Sequence, residues 1–131
     1  MPQLSNRRLV HVLEGGQPEK PAILVLSCGS AQLEDEVLAG IEEEGVPSVV
    51  ERPVRTQDAT TLACVAAERS SLSVGVGIDA AGRVCVHHDK LIEPLAELTS
   101  EMPAPWRTAR ILGHNAARIV VGVPLRTEEF A

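Results

Sequence analysis

Ala22–Ser27 reads AILVLS, an unbroken apolar run that predicts a β-strand covered on both faces. Ser30 is placed to cap a helix from Ala31 to about Glu44, with Leu33, Val37, Leu38 and Ile41 along one side and Gly45 ending it. Pro47–Arg52 holds a second strand centred on Val49 and Val50. Asp58 caps a second helix running to about Arg69, with Leu62, Val65 and Ala66 inward. Leu72–Ile78 is a third strand, and Asp79-Ala80-Ala81-Gly82 a tight turn. Arg83–His88 then returns antiparallel to the third strand. After an irregular stretch from Asp89 to Pro103, Pro105 suits the first turn of a helix reaching about Ile119, striped by Leu112, Ala116 and Ile119. Val121–Leu125 predicts a last strand, and Arg126–Ala131 a frayed tail.

The order is β-α-β-α-β-β-α-β. Helices between parallel strands imply cover on both faces of the sheet. The expected fold class is therefore α/β, a three-layer α/β/α sandwich around a five-stranded, mostly parallel sheet with one antiparallel strand. Residues 21–131 form a single domain. Residues 1–20 end in the polar Gly/Pro stretch Glu14–Pro21 and are expected to be a flexible N-terminal lead-in, in which only Leu9–Leu13 has the content for a short strand.

Composition narrows the partners. Trp106 and Phe130 are the only aromatic residues, so the core is built from Val, Leu, Ile and Ala. A net charge of −6 disfavours nucleic acid and anionic membranes. No apolar run approaches a membrane span, and no secretory signal opens the chain. Cys28, Cys64 and Cys85 make an odd count without CxxC spacing, which reads as buried thiols in a reducing compartment, the cytoplasm.

Candidate chemistry is sparse. Cys28 sits where the first strand meets the first helix, a place that can activate a thiol. The carboxylates of Glu34, Asp35 and Glu36 open the same helix, however, and would repel a thiolate or a phosphate. Neither GxGxxG nor GxxxxGK[ST] occurs, so the chain is not expected to bind ATP by itself. Cys85, His87 and Asp89 alternate on one strand face, a pattern that suits a metal or, equally, the polar end of a strand. His114 and Asn115 fall on the exposed side of the last helix, as packing or partner contacts. The helix Ala31–Glu44 carries Glu34, Asp35, Glu36, Glu42, Glu43 and Glu44 and no Lys or Arg. Three acids at its C-terminal end oppose the helix dipole. They suit either a solvated face or a cation, meaning a divalent metal or a basic partner surface.

Three segments carry a family resemblance. Ile41-Glu42-Glu43-Glu44-Gly45-Val46-Pro47 resembles the apolar-Glu-Glu-x-Gly-Val-Pro segment of the small (beta) subunits of cobalamin-dependent diol or glycerol dehydratase reactivating factors. Ala66–Ile78, with Gly82 and the strand into His87-His88, is similar to the same family. So is Leu112-Gly113-His114-Asn115-Ala116-Ala117, followed by Pro124-Leu125. Together they span most of Ala22–Leu125.

The resemblance implies a non-catalytic, chaperone-like subunit. Such subunits pair as a heterotetramer with a large reactivase subunit bearing a heat-shock-type ATPase core, which alone binds ATP or ADP. The small subunit is exchanged for the dehydratase medium subunit, so that damaged cobalamin leaves the dehydratase. The family also implies Mg²⁺ or another divalent cation at the subunit interface. Aligned on Gly45-Val46-Pro47, its ligand here is Glu43. Cytoplasmic location is implied, with a bacterial microcompartment as a further setting. Asp89–Trp106 and Gly113–Arg118 also resemble the dehydratase medium subunit itself, which is the alternative identity. A small thiol enzyme using Cys28 is the third.

Overall fold

The computed structural model describes residues 20–127. All but the last residue of the expected lead-in, with its Leu9–Leu13 segment, lies outside the described residues, as do the final four positions.

The described elements follow the predicted order up to the last one. They are β1 (Ile23–Ser27), α1 (Ala31–Glu43), β2 (Ser48–Glu51), α2 (Ala59–Arg69), β3 (Val74–Ile78), β4 (Val84–His88), a single 3₁₀ turn at Ala96–Leu98, and α3 (Trp106–Val121). Ser30 and Asp58 cap α1 and α2 as expected: Ser30 Oγ accepts from the Leu33 amide, and Asp58 Oδ1 from that of Thr61. The strands lie in the order β2-β1-β3-β4, with β1 parallel to both neighbours and β3–β4 an antiparallel hairpin.

The expected fifth strand at Val121–Leu125 is not formed. Val121 is the last residue of α3, and Gly122 closes the helix in the left-handed region (φ 76°). The amides of Gly122 and Val123 return to the carbonyl of Arg118. The β-branched run Ile119-Val120-Val121 favours a strand locally, but packing of the continuing helix overrides that preference. Among the described residues the sheet has four strands.

Alternation along the strands sorts the two faces. Ile23, Val25, Val74, Val76, Ile78, Val84 and Val86 turn to one side and form the main core with α1 and α3. Leu24 and Leu26 turn to the other and meet Leu62 and Ala66 of α2. On β3 this second face is Gly75 and Gly77. A Cβ at Gly75 would sit 2.2 Å from the Ala67 nitrogen, and one at Gly77 2.2 Å from the Ala59 carbonyl oxygen. The alanine-rich α2 thus rests directly on the strand backbone, which explains the VGVGI pattern.

The two sheet edges differ. Beyond β4 the edge is covered: Ser100 donates its amide to the Val84 carbonyl and accepts from the Val84 amide, and Cys85 bridges to Thr99. Beyond β2 no strand pairs among the described residues, and α2 lies over β1, β3 and β4 instead of β2.

Candidate functional site

The acidic end of α1 lies against α3. Close packing brings the two helices within side-chain reach, because a Cβ at Gly40 would stand 2.2 Å from the Arg110 carbonyl oxygen and one at Gly113 2.2 Å from that of Val37. Arg110, His114 and Arg118 are spaced four apart and share one stripe of α3. Arg110 reaches Glu36 Oε1 (3.0 Å) and Glu43 Oε2 (2.9 Å). His114 lies between two carboxylates, with Nε2 2.9 Å from Glu43 Oε1 and Nδ1 2.7 Å from Glu44 Oε2. Arg118 Nε donates to the same Glu44 oxygen at 2.8 Å. The Arg118 hydrogen bond, with that of His114, holds the Glu44 carboxyl below its ordinary range against the opposing pull of burial.

A cation was expected at Glu42, Glu43 or Glu44, and for Glu43 and Glu44 the chain itself supplies Arg110 and Arg118. Of the three acids ending the helix, only Glu42 is exposed and without a partner among the described residues. His114 and Asn115 are buried, not exposed. The reason is the double contact of α3 with both the sheet and α1, which buries every residue from Ile111 to Ala117 and not a single stripe. Arg110 and Arg118 were not singled out in the sequence, although their four-residue spacing around His114 was there to be read.

In open α/β sheets, ligands commonly bind beyond the strand C-termini where the order of strands reverses. Here that place is the end of β1 and β3, and its donors are taken. Glu34 is buried there, accepting from Ser27 Oγ (2.6 Å) and Arg52 Nη2 (2.9 Å). Ser27 Oγ in turn accepts from the Gly29 amide, and the Cys28 amide donates to Ile78. Asp79 covers the start of α2, taking the amides of Ala59 and Arg83. An anion arriving at either helix N-terminus would meet a resident carboxylate.

Neither the Cys85 thiol on β4 nor the Cys64 thiol on α2 is placed for activation. Burial pushes the thiols of Cys85 and Cys64 up, away from the reactive thiolate. No group of three metal-ligating side chains is assembled among the described residues, so Cys85, His87 and Asp89 do not form a centre there.

Comparison with known proteins settles the relationship. The dehydratase medium subunit family matches residues 20–126. The propanediol dehydratase-reactivating factor small subunit of Citrobacter freundii is 38% identical over 109 residues, covering 81% of this chain and 90% of that protein. The diol dehydratase-reactivating factor small subunit of Klebsiella michiganensis is 35% identical, covering 85% of this chain and 88% of that protein. The chain belongs to the dehydratase-reactivating factor small subunits.

Solved structures agree with the family assignment. A glycerol dehydratase reactivase matches with a TM-score of 0.76 at 32% identity, over 82% of this chain and 98% of that one. A diol dehydratase-reactivating factor complexed with ADP and Mg²⁺ matches with a TM-score of 0.72 at 35% identity, over 83% and 100%.

Glu43 is the residue that the sequence resemblance implies as a cation ligand. Its side chain is half exposed at the end of α1. Glu43 Oε2 accepts from Arg110 Nη1, and Oε1 faces His114 Nε2 at 2.9 Å. That fits a single ligand to a shared cation, not a complete site, and the cation would compete with Arg110 and His114 for the same oxygens.

Proposed function

We propose that this chain is the non-catalytic small subunit of a diol or glycerol dehydratase reactivase. It pairs with a large ATPase subunit as a heterotetramer and exchanges with the dehydratase medium subunit, so that damaged cobalamin is released. The observation that carries this reading is the double likeness of one domain. The chain matches the medium subunit family across its described length, and its relatives named as reactivating-factor small subunits are covered nearly end to end. A shared fold is what competition for one docking surface requires.

The filled positions at Glu34 and Asp79 support assigning ATP and ADP to the large subunit. Mg²⁺, or another divalent cation at the interface, would take Glu43 as this chain's one ligand, with the rest coming from the partner and water. The odd cysteine count without CxxC spacing supports a cytoplasmic setting, which includes the interior of a bacterial microcompartment, although only Cys85 is buried and Cys28 and Cys64 are partly exposed.

The test is to mix this chain, a large ATPase subunit and a dehydratase loaded with inactive cobalamin. Release of free cobalamin, followed by its absorbance after filtration, is expected only when both subunits and ATP are present. Failure to form a complex with the ATPase subunit would end this reading. Restored diol dehydration on mixing with catalytic subunits would identify a medium subunit instead.

A further inference from the structure

Arg110 touches two carboxylates of α1 through different nitrogens. Its Nε lies 3.0 Å from Glu36 Oε1, and its Nη1 lies 2.9 Å from Glu43 Oε2. Glu36 and Glu43 are seven residues apart, so they stand two turns from each other along one face of α1. The guanidinium spans that gap, and the two ends of the bridge differ in exposure. The Glu43 side chain is 50% exposed and that of Glu36 27%, so a group arriving from solvent reaches Glu43 first. Glu44 is held differently. It is 17% exposed and shared by Arg118 and His114, which fix it to α3. His114 also faces Glu43, but its ring is buried between the two carboxylates and stays with the helix pair.

Arg110 can therefore release Glu43 without losing its own counter-charge. Breaking the Nη1 contact frees Glu43 Oε2, while Nε remains on Glu36 and keeps the guanidinium beside the carboxylate it has left. A tethered partner of this kind returns at high local concentration. Because arginine is always charged, the compensation does not vary with pH.

We propose that Arg110 is a resident counter-cation that Glu43 exchanges on docking. An incoming cation at the large-subunit interface takes Glu43 Oε2, Arg110 falls back on Glu36, and Arg110 recaptures Glu43 when the subunits separate. This rests on the reading above that Glu43 meets a cation there. The incoming positive charge is a divalent metal or a basic side chain of the large subunit, either of which a half-exposed carboxylate accepts. For a subunit that must leave its partner again, the exchange has a purpose. Docking must break an ion pair, which weakens assembly, and undocking restores that pair, which speeds release.

The test follows binding of the full chain to the large ATPase subunit, and its release, by surface plasmon resonance at fixed Mg²⁺. Arg110→Gln keeps a hydrogen-bonding amide and removes the charge. It should tighten assembly and slow release about threefold, the scale of one exposed ion pair. Glu36→Gln removes the fallback and leaves Arg110 to Glu43 alone, so it should weaken assembly by a similar factor. Both variants break the same Arg110–Glu36 contact, so general loosening of α1 against α3 would move them in one direction. A shared direction overturns the proposal, and so does unchanged release in Arg110→Gln. Glu43→Gln separates the exchange from the reading beneath it. If Glu43→Gln leaves assembly intact, Glu43 is no interface ligand and both fall. If it weakens assembly while Arg110→Gln changes nothing, only the exchange falls. Repeating the comparison with a chelator in place of Mg²⁺ tells the two cations apart. Loss of the Arg110→Gln difference supports exchange with a metal, and its persistence supports exchange with a basic side chain.

Discussion

Asn115 grips the backbone of Arg126 with both ends of its amide. Nδ2 donates to the Arg126 carbonyl at 3.0 Å, and the Arg126 amide donates to Oδ1 at 2.6 Å. One side chain thereby stands in for a β-bridge and ties the chain beyond α3 back onto the helix. Asn115→Ala should lower unfolding stability in urea by about 1–3 kcal/mol, the worth of two hydrogen bonds to a buried group. Trypsin should then cut after Arg126 faster than in the unsubstituted chain. Asn115→Asp buries a carboxylate with one oxygen against the Arg126 carbonyl, so it should cost at least as much as Asn115→Ala. No change in either readout would mean that this clasp holds nothing.

Glu42, Glu43 and Glu44 are adjacent, yet their surroundings predict three different phenotypes. Glu44 is shared by buried His114 and part-buried Arg118, so Glu44→Ala removes a partner from each and should cost about 1–3 kcal/mol of stability in denaturant titration. Glu43 is half exposed and its ion pairs are worth less. Glu43→Ala should instead raise the divalent cation concentration needed for assembly with the large subunit by about tenfold or more. Glu42→Ala should change neither. Chelation of the cation should abolish the difference between the Glu43 variant and the unsubstituted chain. Equal effects of all three substitutions on assembly would indicate general charge and not coordination.

The alternation of strands and helices was legible because each element carries its own local signal. Ser30 and Asp58 sit at the helix starts, the valines of β3 and β4 show the sheet face, and Gly82 marks the hairpin turn. Two readings failed where tertiary packing outvoted local preference. Val121 has the composition of a strand, but its neighbours upstream are already committed to a helix that ends only at Gly122. His114 reads as surface because it is polar, and it is buried because Glu43 and Glu44 come to it from another element. The site was half legible. The excess of acid on α1 was plain, whereas its internal cations lie about seventy positions away and no local pattern links them.

The glycine pair between α1 and α3 sets how close these charges come. Gly40→Ala would place a methyl 2.2 Å from the Arg110 carbonyl and 2.8 Å from the His114 nitrogen, both rigid backbone atoms. The helices must then separate, at an expected cost of about 1–3 kcal/mol or more, with loosening of the contacts to Glu43. Gly45→Ala has no atom within 4 Å and meets only the strain of φ 80°, about 1 kcal/mol. Urea midpoints should rank Gly40→Ala well below Gly45→Ala. The opposite order would show that the crossing tolerates more than its geometry allows.

His87 gives the fold a pH dependence near neutrality. The ring is buried on β4, its Nδ1 has no hydrogen-bond partner, and burial holds its pKa below the usual 6.5, with His88 adding to the effect and Asp89 opposing it. Between the lowered folded value and 6.5 the unfolded chain binds the proton more readily than the folded one. Stability from this group is thus complete above 6.5 and is lost as pH falls through the window below it. Glu44 and Asp58, both held below the ordinary carboxylate range, lose theirs only lower, as pH falls beneath their usual 4.5 and 3.8. Unfolding free energy measured from pH 7.5 to 5 should therefore decline in the unsubstituted chain. His87→Gln, which keeps a polar side chain but cannot titrate, should flatten that decline and leave the acid limb below pH 4.5 in place. An identical slope in both proteins would show that another group takes up the proton.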